Sequence, residues 1–214
     1  RVSKVSELAD GTFTLELDGD HELADADAII CATGVAPNAG FLKGTGVKVE
    51  QGILVDAYLQ TNVPDIYAAG DVAESHDFAL GGTSVHAIQP VAAEHARIAA
   101  TNMVQGNTSV HQGSLVMNVL DTLGLISASY GAWHGVEGGE YSELYDPDDY
   151  RYIRLQFDGD IMVGANTLGM TQNVGALRGL IQTRLKLGPW KQKLMDNPLH
   201  FAEAYVALSQ GQAS

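Results

Sequence analysis

A carboxylate at the end of an apolar run is the most chemically suggestive feature of this sequence. The run Ile66-Tyr67-Ala68-Ala69 stops at Gly70-Asp71. Read as a strand buried in a sheet, it sets a small residue and a carboxylate at the carboxyl edge, where open α/β sheets hold ligands. Glycine lets a ligand come close to the backbone, and a carboxylate accepts hydrogen bonds from sugar or polyol hydroxyls. The plainer alternative is that Asp71 only caps the next segment, and local chemistry leaves both readings open. A helix starts at Pro90, because proline suits the first turn, where its missing N–H would be unpaired anyway. A second apolar run, Ala28-Ile29-Ile30-Cys31-Ala32, ends at Thr33-Gly34 and has the character of a strand buried on both faces of a parallel sheet.

Other reactive residue types give no site. The seven histidines show no metal-ligand spacing, and His86 and His95 fall on different elements. Asp146, Asp148 and Asp149 around Pro147 read as a solvated acidic turn without calcium-loop spacing. The single cysteine, Cys31, inside an apolar run, reads as a small core residue. His200 reads as a helix-packing or surface histidine, and Trp133 and Trp190 as core or interface residues. Asn107-Thr108-Ser109 is a formal glycosylation sequon that matters only in a secreted protein. No Gly-x-Gly-x-x-Gly phosphate-binding turn occurs; Gly44-Thr45-Gly46 comes nearest but has Val49 in the last slot.

The elements that must position these residues follow from periodicity and turn chemistry. Phe13, Leu15 and Leu17 alternate with polar residues as in a half-buried strand, between the hairpin-turn pairs Asp10-Gly11 and Asp18-Gly19. Residues 53–55 form a short strand, and Gly81-Gly82-Thr83-Ser84 a glycine-rich loop. The helix from Pro90 runs to Gly106-Asn107, with Ala92, His95, Ala96, Ala99 and Met103 on its inner face and Glu94, Arg97 and Thr101 outside. Tyr152–Phe157 and Ile161–Ala165 flank Asp158-Gly159-Asp160 as an antiparallel hairpin. An amphipathic helix follows on Val174, Leu177, Ile181 and Leu185, then two shorter helices around residues 190–195 and 199–208, parted by Asn197-Pro198. The order is α/β followed by α+β.

The 214 residues, 45% hydrophobic and 18% charged, describe a globular chain. A net charge of −14 argues against nucleic-acid or anionic-membrane partners, which need basic patches. Apolar runs are too short to span a bilayer. One cysteine fits a reducing compartment, so the expected location is cytoplasmic. The chain opens at Arg1, directly into strand-like sequence, as a piece of a longer protein would.

The eleven residues Thr61-Asn62-Val63-Pro64-Asp65-Ile66-Tyr67-Ala68-Ala69-Gly70-Asp71 resemble the second flavin-binding motif of the pyridine nucleotide-disulfide oxidoreductase superfamily along its full length. In that family the aspartate, here Asp71, hydrogen-bonds the ribityl chain of FAD. Ala32-Thr33-Gly34 resembles the marker where the chain leaves the NAD(P)H domain and re-enters the FAD domain. Ile88-Gln89-Pro90-Val91 resembles the segment that aims a helix amino terminus at the flavin pyrimidine edge, where unpaired N–H groups favour the negative charge of reduced flavin. Residues 113–131 resemble the start of the family's carboxy-terminal interface domain, nearest to the branch of NADH oxidases, rubredoxin reductases and nitrite reductase flavin subunits.

The resemblance implies a partial FAD/NAD(P)-binding three-layer domain followed by a smaller interface domain. Residues 1–34 would be the tail of an NAD(P)H domain, 35–110 the second half of an FAD domain, and 111–214 the interface domain through which relatives form homodimers. Its cofactor-binding residues would be Gly70, Asp71, Gln89, Pro90, Val91, Thr33 and Gly34, with no metal site and no catalytic residue of its own. The parent would pass hydride from NAD(P)H to FAD and on to a redox protein or small-molecule acceptor. The chain alone, lacking the adenine-side glycine turn and the nicotinamide fingerprint, would be inactive. No His-Pro motif of the glutathione-reductase type appears. The competing expectation is a stand-alone association module that retains a vestigial flavin motif.

Overall fold

The computed structural model describes residues 2–19 and 21–211. The chain divides into two compact units, residues 1–36 and 37–214.

The first unit is an antiparallel meander of β1 (Val2–Glu7), β2 (Phe13–Leu17) and β3 (His21–Ala26). Its two turns use glycine where the backbone needs positive φ: Gly11 at +86° and Gly19 at +87°. Phe13, Leu15 and Leu17 are half-buried and Glu16 is exposed, but Thr14 is buried where alternation had set it outside. After β3 the expected strand over residues 28–32 is missing. These residues form no ladder, and Ile30 is 90% exposed. A strand needs a neighbour for its N–H and C=O groups, and none of the described strands pairs with this segment. Cys31 is therefore an exposed free thiol and not a core residue. The Thr33 hydroxyl and backbone N–H hold its pKa below the usual thiol range.

The second unit begins with a small sheet. β4 (Ile53–Leu54) lies parallel to β5 (Ala73–His76), which pairs antiparallel with β6 (Thr83–Val85). Gly81 and Gly82, both at φ +72°, turn the chain between β5 and β6. The strand expected over residues 66–69 is absent. The segment makes one isolated bridge, Gln60 to Tyr67, and Ile66 is exposed. Its backbone is satisfied within the loop, by Thr61 N–H to Ile66 carbonyl and Ala68 N–H to Leu59 carbonyl. An apolar run alone does not distinguish a strand from a packed loop.

α1 (Gln89–Gln105) starts with proline in its first turn and ends at Gly106, φ +73°. Its buried stripe is Val91, His95, Ile98, Ala99 and Asn102, whereas Ala96 and Met103 face solvent. His95 and Ala99 are buried as expected, but the face is rotated toward Val91, Ile98 and Asn102, because the expectation followed the alanines.

The remainder is a five-stranded antiparallel sheet of β7 (Met117–Thr122), β8 (Leu125–Gly131), β9 (Glu140–Asp146), β10 (Arg151–Asp158) and β11 (Ile161–Leu168), ordered β7-β8-β11-β10-β9. Three helices, α2 (Val174–Thr183), α3 (Pro189–Asp196) and α4 (Phe201–Gly211), pack into one core with it. Ile153, Leu155 and Phe157 from β10 meet Leu177, Leu180 and Leu194 from the helices, all at most 1% exposed. The β10–β11 hairpin turns at Gly159, as its sequence dictates. The expected Val174–Leu185 helix stops at Thr183 because Arg184 takes the left-handed conformation. Leu185 stays buried beyond the helix end. The mixed architecture agrees with the α/β then α+β expectation. Among the described residues no helix is long and apolar enough to cross a membrane.

Candidate functional site

Gly70, Asp71 and Val72 form a single 3-10 turn that leads into β5. Gly70 has φ +76°, which side-chain-bearing residues rarely adopt, and a Cβ there would lie 3.3 Å from the Ala92 Cβ in the first turns of α1. Backbone conformation and close packing thus both require glycine. Asp71 is exposed, and no side-chain hydrogen bond among the described residues uses its carboxylate. That geometry removes the capping alternative and leaves the carboxylate exposed.

The amino terminus of α1 arrives at the same place. Ile88 precedes the helix in extended conformation without a side-chain cap. Gln89 and Pro90 are exposed and Val91 is buried. An uncapped first turn offers N–H groups and the positive end of the helix dipole to a negatively charged partner. Ile88, Pro90, Val91, Leu115, Met117 and Arg178 line a small cavity of about 40 Å³ beside this turn. The structure therefore brings Gly70 and Asp71 against the first turns of α1, with Asp71, Gln89 and Pro90 exposed and Gly70 and Val91 buried behind them. Thr33 and Gly34 lie in the first unit, both exposed, with Gly34 at φ +89°.

Behind this surface lies a buried polar network that sequence reasoning missed. His95, 1% exposed, comes off α1 one turn after Val91. Its Nδ1 accepts the Gly70 N–H at 3.3 Å. With Nδ1 accepting, the proton of the neutral ring sits on Nε2. That atom lies 3.4 Å from Ser75 Oγ, 3.3 Å from Ser114 Oγ and 3.4 Å from His111 Nε2. Burial first, then the charges of His111 and His86, push the His95 pKa down to about 4. The ring is neutral at neutral pH. His111 stands edge-on to His95 with ring centroids 4.6 Å apart. Its Nδ1 lies 3.5 Å from Glu94 Oε1, and burial lowers its pKa against the upward pull of Glu94. The chain brings His111 and Ser114 here by returning along β5, with Ser114 N–H donating to His76 carbonyl and Phe78 N–H to Ser114 carbonyl.

Two buried carboxylates brace the same region. Glu74 Oε2 accepts the N–H groups of Gln51 and Gly52 at 2.9 and 3.0 Å, and Oε1 accepts from the Thr83 hydroxyl at 2.8 Å. Asp77 Oδ2 lies 3.2 Å from His86 Nε2. Burial raises the Asp77 pKa, but the His86 bond and charge and the N–H groups of Leu80 and Ala79 outweigh it, leaving the carboxyl below its usual range. Among the described residues no group of three or more His, Cys, Asp or Glu is arranged to hold an ion. One sequence signal could have found part of this network. Val91, His95, Ile98 and Asn102 recur at helical spacing, so two polar residues share a stripe with two branched apolar ones.

Residues 1–103 match the family described as pyridine nucleotide-disulphide oxidoreductase. The chain is 32% identical over 203 residues to the NADH-dependent phenylglyoxylate dehydrogenase subunit epsilon of Aromatoleum evansii, covering 93% of this chain and 47% of that protein. It is 30% identical over 175 residues to nitrite reductase [NAD(P)H] of Bacillus subtilis (strain 168), covering 82% of this chain and 21% of that protein. Its fold is similar to that of a FAD-dependent pyridine nucleotide-disulphide oxidoreductase from Desulfovibrio vulgaris. That alignment has a TM-score of 0.73 and 18% identity, and covers 98% of this chain and 55% of that one.

Proposed function

The chain belongs to the pyridine nucleotide-disulphide oxidoreductase family, and on that premise we propose that it supplies half of the FAD site of an NAD(P)H-dependent flavoprotein. The observation that carries this reading is the packing of the Gly70-Asp71 turn against the first turns of α1, whose amino terminus has no side-chain cap. Bound there, FAD would supply the hydride acceptance from NAD(P)H and the electron release to an acceptor. The chain's own residues bind and orient. Asp71 accepts a hydrogen bond from a ribityl hydroxyl. Gly70 lets the turn pack closely against Ala92 of α1, which keeps Asp71 near the helix start. The N–H groups at Gln89 and Val91 favour negative charge at the pyrimidine edge, and Thr33-Gly34 carry the chain into the flavin domain.

The proposed organisation is an NAD(P)H-domain tail over 1–34, the second half of the FAD domain over 35–110, and an interface domain over 111–214 that pairs two subunits. The acceptor would be a redox protein or a small molecule, in a cytoplasmic setting. The chain spans 47% and 21% of the two curated relatives above, and it holds no Gly-x-Gly-x-x-Gly turn for a pyrophosphate. By itself it would therefore be colourless and inactive. The missing pyrophosphate contacts are charge-assisted hydrogen bonds worth about 1.5–3 kcal/mol each, so their loss weakens binding by orders of magnitude.

The test is to titrate the purified chain with FAD, following flavin fluorescence, and to assay NADH-dependent dye reduction in parallel. Weak flavin binding with turnover at the free-flavin background is expected. Stoichiometric tight binding or turnover above background would overturn the half-site reading.

A further inference from the structure

We propose that His95 is a positioning residue for the flavin-facing turn, holding the backbone that presents Asp71 by accepting the Gly70 N–H on Nδ1. The inference rests on the flavin reading of Asp71 above. Gly70 is the hinge of this turn and has no side chain to restrict it. Its positive φ is one of several wells open to glycine. Two hydrogen bonds select it: the Gly70 carbonyl accepts the Ala73 N–H, closing the turn on itself, and the Gly70 N–H goes to His95. Only the second ties the turn to another element.

That element is α1, whose first turn forms the other part of the site. His95 lies one turn beyond Val91 on the buried stripe, so the same helix that offers its amino terminus to the ligand also fixes Asp71 relative to it. The arrangement needs a specific tautomer. The Gly70 N–H can only donate, so Nδ1 must carry no proton, and the ring proton falls on Nε2, where Ser75, Ser114 and His111 present atoms able to accept it at 3.3–3.4 Å. The hydrogen bond made by one ring nitrogen sets the role of the other. Burial keeps the ring neutral, as a charged imidazole would need protons on both nitrogens and would turn the Gly70 N–H away.

The experiment compares FAD affinity of the full-length protein carrying His95→Leu, His95→Asn, His95→Gln or Asp71→Ala, each at matched folded fraction. Asparagine sets an oxygen where Nδ1 stood, whereas glutamine reaches the position of Nε2. His95→Leu and His95→Gln should weaken FAD about tenfold, one net buried hydrogen bond, and His95→Asn by no more than about threefold. If His95→Leu does not fold, the asparagine–glutamine contrast carries the comparison. Equal losses in asparagine and leucine or glutamine variants would mean that the imidazole only fills space, overturning the proposal. So would a His95→Leu protein that keeps FAD while Asp71→Ala loses it. If Asp71→Ala and every His95 variant bind FAD like the parent, the flavin reading itself fails and takes this inference with it. Nitrogen NMR of the chain alone gives an independent readout. A bare Nδ1, a protonated Nε2 and a slowly exchanging Gly70 amide are expected, and the opposite tautomer would overturn the assignment.

Discussion

Asn102 holds both backbone polar groups of Ser109: its Oδ1 accepts the Ser109 N–H at 2.8 Å and its Nδ2 donates to the Ser109 carbonyl at 2.7 Å. The same amide also accepts from Thr108 N–H at 3.0 Å and donates to Tyr58 carbonyl at 2.9 Å. All four bonding positions of a side chain 1% exposed are used. The clasp turns the chain after α1 back toward β5, and so delivers His111 and Ser114 to His95.

Asn102→Ala should therefore cost far more than an ordinary buried asparagine. Two N–H groups and two carbonyls lose their partner together, and a loss of about 3 kcal/mol is expected from a network of this kind. Urea unfolding of the chain measures it. A midpoint within error of the parent would show that the loop is held by other means.

Acid should destabilise the fold in a defined window. The His95 pKa is about 4 folded against 6.5 for an unperturbed imidazole. The folded state then binds fewer protons between those values, so stability rises with pH across that range and is lost as pH falls from 6.5 to 4. The contribution is on the order of 3 kcal/mol and is fully present above pH 6.5. His111, also shifted downward, acts with the same sign. Asp77, shifted downward as a carboxylate, adds a further loss below its ordinary value of 3.8. Urea midpoints should hold from pH 7.5 to 6.5 and fall from there to pH 4 in the parent, and fall less in His95→Asn. Equal slopes would exclude His95 as a source.

Gly52→Ala should fold poorly although Gly52 has an ordinary backbone. A Cβ there would stand 2.7 Å from the Val72 carbonyl oxygen and 2.8 Å from Val85 Cγ2. Relief requires β4 to move from β5 and β6, stretching the Glu74 contacts to Gln51 and Gly52. Overpacking of this size costs about 1–3 kcal/mol. A thermal midpoint unchanged from the parent would contradict the close approach.

Self-association should proceed through the five-stranded sheet. β7 is an edge strand, and Val119 and Leu120 are each 62% exposed, with Leu123 fully exposed at its turn. An open edge bearing apolar residues invites pairing. Light scattering at micromolar concentration should report a dimer or larger, and Leu120→Lys should shift it toward monomer. A monomeric parent would refute this.

Local chemistry in the sequence was enough to locate the β1–β2–β3 turns, the start of α1, the β10–β11 hairpin and the three carboxy-terminal helices. Each depends on glycine, proline or a repeat of apolar residues within one element, and those constraints act over a few residues. The exposed sheet strands were less legible. β9 reads Glu-Tyr-Ser-Glu-Leu-Tyr-Asp and buries little beyond Ser142, so its pattern resembles a loop.

Apolar runs misled in the opposite direction. Residues 28–32 and 66–69 have strand composition, yet a strand is a property of two segments, and neither run finds a ladder partner among the described residues. The sequence by itself determined that Gly70-Asp71 and a proline-led helix exist as separate features, because glycine and proline act through their own backbone. Only the tertiary structure decided that they meet, with Ala92 against Gly70 and His95 beneath it. Contacts between residues twenty-five positions apart depend on how loops close and which helix face is buried, and no local pattern encodes either.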